Sequence, residues 1–173
     1  MAIFFPAVNK KEGMIVEPQF YCNEHYENKK IITGLVDDEI IQSISIAYTL
    51  LLKENIEIPR YMHLHFPDYN YCVNGVSAAL GIYFFLYFKI KNESLRNDYL
   101  MTGEVDLQGN ILSVGMLKQK VNTFVSSKCN FFFIPRNSIK MKNSVKGVIE
   151  VESIKDVLEW ITRLERTNTD EIK

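Results

Sequence analysis

The chain has 173 residues, 47% of them apolar and 24% charged, with 20 lysines and arginines against 21 aspartates and glutamates. That length holds one ordinary hydrophobic core, so a single domain over residues 1–173 is expected. A formal charge of −1 excludes bulk attraction to nucleic acid or an anionic membrane, and the unpaired Cys22, Cys72 and Cys129 fit reduced thiols of a cytoplasmic protein rather than a disulfide framework.

The N-terminal apolar patch lacks the basic leader, length and cleavage signal of a signal peptide. The densest apolar run, residues 76–88, falls short of the roughly 20 residues that cross a bilayer. Both are expected to be core. Within residues 1–28, Pro6, Gly13 and Pro18 punctuate short apolar pieces, which predicts short strands near a sheet edge. Lys30-Ile31-Ile32-Thr33-Gly34 reads as a strand ending at glycine. Asp37 or Asp38 then caps a predicted helix from about 38 to 54, striped by Ile40, Ile41, Ile44, Tyr48 and Leu51, with Glu39, Gln42, Ser43 and Lys53 opposite.

Residues 60–66 alternate Met62, Leu64 and Phe66 against Tyr61, His63 and His65, the period of a strand, and Pro67 closes it. A polar and aromatic loop, residues 68–75, leads to Ser77. The helix that follows is apolar nearly all round until Lys89, which predicts a buried central position. Residues 99–102 and 103–105 suggest a strand, 106–110 a turn around Gly109, and 111–114 a returning strand. Gly115 opens a helix striped by Leu117, Val121, Phe124 and Val125. Phe131-Phe132-Phe133-Ile134 before Pro135 reads as a buried strand, followed by a basic connection and a strand over 148–151. Ser153 and Asp156 form a capping-box-like start to a last helix striped by Ile154, Val157, Leu158 and Ile161. The polar stretch 165–173 is expected to fray. Alternating strands and helices predict an α/β or α+β fold with helices covering mixed sheets.

Three segments invite a chemical reading. Ser77 lies among small neighbours, Gly75, Ala78 and Ala79, at the start of the buried helix, where unpaired N–H groups and the helix dipole stabilise negative charge. It is either a nucleophile with an oxyanion site beside it or a plain N-cap. Lys120 is distinguished from Lys118 by helical phase. Measured from Leu117 at about 100° per residue, Val121 lies near 40°, Phe124 near 340° and Lys120 near 300°, at the border of the buried stripe, whereas Lys118 lies near 100° and points further towards solvent. A lysine against apolar surface loses hydration and becomes a neutral base, or else its stem simply covers the stripe. Thr102, at a strand end beside Gly103, can orient that amine or be an ordinary β-branched strand residue.

Taken together, Asn74-Gly75-Val76-Ser77-Ala78-Ala79 resembles the D-G-P-S-A-G nucleophile motif of the Lon proteolytic domain, a family of Ser-Lys peptidases. Met101-Thr102-Gly103-Glu104 matches the family's M-T-G-E segment and Leu107-Gln108-Gly109 its L-x-G. Gly115-Met116-Leu117-Lys118-Gln119-Lys120 resembles G-G-L-K-E-K, whose second lysine is catalytic. His63-Leu64-His65-Phe66-Pro67 resembles H-x-H-x-P, and Lys30-Ile31-Ile32-Thr33-Gly34 the earlier L-T-G strand. Order and spacing hold over about 29–161.

The resemblance implies a serine endopeptidase acting on polypeptides through an acyl-enzyme. Ser77 is then the nucleophile, Lys120 the base, Thr102 its support, and Asn74, Gly75, Val76 and Ala78 the substrate and oxyanion loop. It also implies assembly into a homo-oligomeric, hexameric ring, with no cofactor and no metal. Asn74, Val76, Ala79 and Met116 depart from the family's aspartate, proline, glycine and second glycine. No G-x-x-x-x-G-K-[ST] phosphate loop occurs in the chain, so the resemblance is to a stand-alone domain without the ATPase module. Cleavage is therefore expected to be ATP-independent or to use a separate ATPase partner.

Two other readings compete. One is a ring-forming scaffold or adaptor of the same fold without proteolysis, against which the presence of both Ser77 and Lys120 argues. The other is a metal or cysteine enzyme built on His63, His65 and Cys72, which has too few further ligands. Arg136, Lys140, Lys142 and Lys146 read as a solvated connection rather than a nucleic-acid patch.

Overall fold

The computed structural model describes residues 2–8, 13–67, 75–136 and 145–167. A five-stranded sheet is built from β1 (Ile3–Val8), β2 (Gly13–Val16), β6 (Tyr99–Met101), β9 (Phe131–Pro135) and β10 (Val148–Val151), in the order β10-β9-β6-β1-β2. Only the β1–β2 hairpin is antiparallel; β1, β6, β9 and β10 run parallel. A second sheet orders β3 (Gln19–Asn23), β5 (Tyr61–His65) and β4 (Lys29–Thr33) as β3-β5-β4. The third, two-stranded sheet pairs β7 (Glu104–Val105) with β8 (Ile111–Leu112). With helices α1 (Asp38–Lys53), α2 (Ala79–Ile90), α3 (Leu117–Val125) and α4 (Ile154–Thr167), this is the expected mixed α/β architecture.

The apolar runs follow from a sheet covered on both faces. Along β6 and β9, Leu100, Phe132 and Ile134 point to a cluster closed by Leu117, Val121 and Phe124 of α3. Tyr99, Met101 and Phe133 point the other way, into the larger core with α2 and with Ile154, Val157 and Ile161 of α4. Strands buried on both faces lose the polar alternation of a half-exposed sheet. Each residue of α2 from Ala79 to Phe88 is buried, as its all-round apolarity predicts. Gly81 permits its approach to the sheet, since a Cβ there would stand 2.8 Å from Phe5 Cβ. No described helix is long and apolar enough to cross a membrane.

Several expectations shift in detail. The short strands expected near a sheet edge lie there: β2 and β3 are edge strands, and β1 is next to one, pairing with β6 through Ile3 and Phe4 and with β2 through residues 5–8. Pro6 lies in register with Ile15 of β2, past the two residues of β1 that pair with β6. In α1 the N-cap is Asp37, whose Oδ1 accepts from the Ile40 N–H at 3.0 Å. Ile41, placed on the stripe by spacing, is exposed, while Ser43 is buried because its hydroxyl is satisfied by the Glu39 carbonyl at 2.9 Å. Val125 is likewise exposed rather than on the α3 stripe. The β8 return ends at Leu112, earlier than 114. Ser153 caps α4 by accepting from the Asp156 N–H at 3.1 Å, but Asp156 answers to the Glu152 N–H at 3.2 Å rather than to the cap residue itself.

The largest correction is at the C-terminus. Helix α4 continues past Glu165 to Thr167, because the Glu165 carboxylate accepts from the Tyr99 hydroxyl at 2.7 Å, the Arg96 N–H at 2.7 Å and the Asn97 side-chain amide at 3.0 Å. One charged acceptor thereby pins the last helix to the start of β6. Glu165→Ala strands the buried Tyr99 hydroxyl, the Arg96 N–H and the Asn97 side-chain amide, and is expected to lower stability by about 2 kcal/mol, or roughly 4–8 °C in Tm. Thermal melts followed by circular dichroism check this; an unchanged Tm would mean the carboxylate is replaced by water without loss.

Candidate active site

Residues 77, 102 and 120 come from three separate elements and meet at one point. Ser77 lies in a single 3-10 turn, Val76–Ala78, that precedes α2, rather than in the first turn of α2 itself. The reason is nonlocal. Its carbonyl accepts the Gly103 N–H at 2.9 Å and the Thr102 hydroxyl at 3.2 Å, and is thereby drawn towards the segment after β6. The Leu80 N–H returns a bond to the Gly103 carbonyl at 3.0 Å, so the Ser77 turn and residues 102–103 are tied in both directions. Gly75 enters the turn at φ 98°, a conformation that side chains disfavour. Ser77 makes no capping bond. Its hydroxyl faces Lys120 instead.

Helix α3 begins after Met116, which takes the left-handed conformation at φ 55° and accepts the Lys120 N–H on its carbonyl at 3.1 Å. Lys120 is 5% exposed, on the buried side of α3 with Leu117, Val121 and Phe124, whereas Lys118 is exposed, as the helical phase predicts. Its Nζ lies 2.7 Å from Ser77 Oγ and 3.0 Å from Thr102 Oγ1. Thr102 is fully buried and spends its single proton on the Ser77 carbonyl, so its lone pairs are what it offers to the amine. The two ion pairs present among the described residues lie elsewhere. Burial pushes the Lys120 amine down to about 8.

The Ser77 hydroxyl opens onto a cleft of about 370 Å³ between the end of β1, residues 75–77 and residues 113–116. Of the proposed loop residues, Gly75 and Val76 line it. Ala78 does not: it is buried, and its N–H is taken by the Gly75 carbonyl at 3.3 Å. Asn74 lies outside the described residues, as do Cys72, Lys140 and Lys142. Glu39 and Glu104 also line the cleft. Spacing gave no sign of Glu39, because a carboxylate on the polar face of a helix looks the same whether it meets water or substrate.

His63 and His65 are not drawn to this site. Their Nε2 and Nδ1 stand 2.7 and 2.8 Å from Thr33 Oγ1, on one face of the three-stranded sheet. Among the described residues no group of three or more histidine, cysteine or carboxylate side chains is poised to hold a metal. Cys22 and Cys129 are free thiols, and Arg136 is paired with Glu152 at 2.6 Å.

The family model that matches, the Lon protease (S16) C-terminal proteolytic domain, covers residues 13–164. The chain is 32% identical over 142 residues to a Lon protease of Fervidobacterium nodosum, covering 75% of this chain and 18% of that protein. It is 28% identical over 143 residues to that of Acinetobacter baumannii (76% and 18%) and 29% identical over 147 residues to that of Haemophilus influenzae (76% and 18%). It thus spans under a fifth of the length of these relatives. A matched family model over nearly the whole described chain, together with relatives at this level of identity, identifies the protein as a member of the Lon proteolytic-domain family.

Proposed function

We infer that this chain, as a single domain, is a serine endopeptidase that cleaves polypeptides through a Ser77–Lys120 dyad. The observation that carries this reading is the 2.7 Å approach of a buried lysine amine to the hydroxyl of Ser77. In its neutral form the amine accepts the hydroxyl proton as Oγ attacks a peptide carbonyl. The ammonium so formed passes that proton to the leaving amine, and the acyl chain stays on Ser77 as an ester. Water, deprotonated by the same amine, then releases the carboxylic acid and restores the hydroxyl. Thr102 holds the amine in line by accepting one of its protons. The first N–H groups of a helical turn have no partner within it, which makes Val76 and Ser77 the donors for the transient oxyanion.

Within its 173 residues the chain carries no phosphate-loop motif. Cleavage by this unit therefore consumes no ATP, and acts on segments already unfolded or delivered by an ATPase partner. By membership of its family it assembles into a homo-oligomeric ring.

A β-lactone, which acylates an activated serine by ring opening, tests the assignment. Incubated with the protein at mildly alkaline pH, it is expected to add one lactone mass, mapped by peptide sequencing to Ser77. Absence of an adduct, or one confined to Cys22, Cys72 or Cys129, would sink the dyad.

A further inference from the structure

Two carboxylates and one ammonium line the cleft above Ser77 among the described residues. Glu39, in the first turn of α1, and Glu104, in β7, form part of its wall, and buried Lys120 is the single cation among its described lining residues. Among the described residues neither glutamate is in a salt bridge. The point at which a side chain would begin on Gly75 lies 3.7 Å from Ser77 Oγ and 3.8 Å from Glu39 Oε2. An extended lysine or arginine side chain spans the separation this leaves between hydroxyl and carboxylate. Carboxylates flanking an apolar-walled cleft concentrate cations and repel anions even without direct pairing.

Resting on the peptidase reading above, we propose that Glu39 and Glu104 set substrate selectivity: the cleft takes segments with lysine or arginine within two residues of the cut bond and rejects acidic ones. Both carboxylates act on the approach and seating of the substrate, leaving proton transfer to Lys120. Their influence appears chiefly in KM and falls as salt screens the charges.

Three fluorogenic peptides, identical except for lysine, glutamine or glutamate beside the scissile bond, test this with the full chain. Wild-type kcat/KM is expected to fall in that order, by about tenfold from lysine to glutamate. Glu39→Gln and Glu104→Gln each narrow the ratio about threefold, the double variant removes most of it, and about 0.5 M salt narrows it in the wild type. The ratio between peptides is unaffected by a general loss of folded enzyme, so a structural role for either glutamate would not move it. Equal rates on the three peptides, or a ratio untouched by both substitutions, overturns the selectivity and leaves the peptidase intact. No cleavage of any of the three, nor of casein, overturns the peptidase reading and the selectivity with it.

Discussion

Ser77→Ala lowers kcat/KM on casein or a fluorogenic peptide by about a thousandfold or more. In the proposed mechanism the substitution removes the oxygen that forms the acyl bond, and the adjacent Thr102 hydroxyl does not replace it. Thr102 is fully buried, with its proton committed to the Ser77 carbonyl. The turn itself is held by the bond from the Gly103 N–H to the residue 77 carbonyl, which alanine preserves, so the variant should melt close to wild type. Loss of cleavage with an unchanged melt therefore reports chemistry rather than folding. Retention of even a tenth of the rate would show that the reaction uses another group.

The second large effect is on Lys120, and it couples rate to stability. If the neutral amine is the base, kcat/KM rises about tenfold per pH unit below 8 and levels off above it. Burial lowers this lysine from its ordinary 10.5 to about 8 in the folded chain. Between those two values the unfolded chain holds a proton that the folded chain has released, so stability rises with pH across that window. Below it both states are protonated and the folded state bears the whole cost of a buried ammonium, roughly 3 kcal/mol. Lys120→Met keeps the stem and removes the charge. It is expected to lose cleavage to the level of Ser77→Ala while gaining about 1–3 kcal/mol in urea denaturation at neutral pH. A flat pH profile in the wild type, or a destabilised methionine variant, would contradict a buried, partly neutral amine.

Where a side chain's surroundings are set by its own element, they were legible from sequence. The all-round apolarity of α2, the buried Phe131–Pro135 strand and the inward phase of Lys120 against the outward phase of Lys118 were all expected, because period and composition fix them. What escaped depends on residues far along the chain. Glu165 ends no helix because Tyr99, Arg96 and Asn97, more than sixty residues back, supply its donors. The Ser77 turn is 3-10 because Thr102 and Gly103 compete for its carbonyl. Spacing could put a serine and a lysine in one site only by way of the ordered family motifs, whereas the acidic wall of Glu39 and Glu104 has no local signature at all.

The two-way tie between residues 77–80 and Gly103 makes the site inseparable from the core on which it sits. Gly103 and Leu80 each donate an amide hydrogen into that tie, and Leu80 is fully buried in the main cluster. Their amides should exchange with solvent deuterium only through global opening, among the slowest in the chain. Heat inactivation and loss of tertiary structure should then follow a single curve, with no temperature at which the protein stays folded while Ser77 and Lys120 have drifted apart.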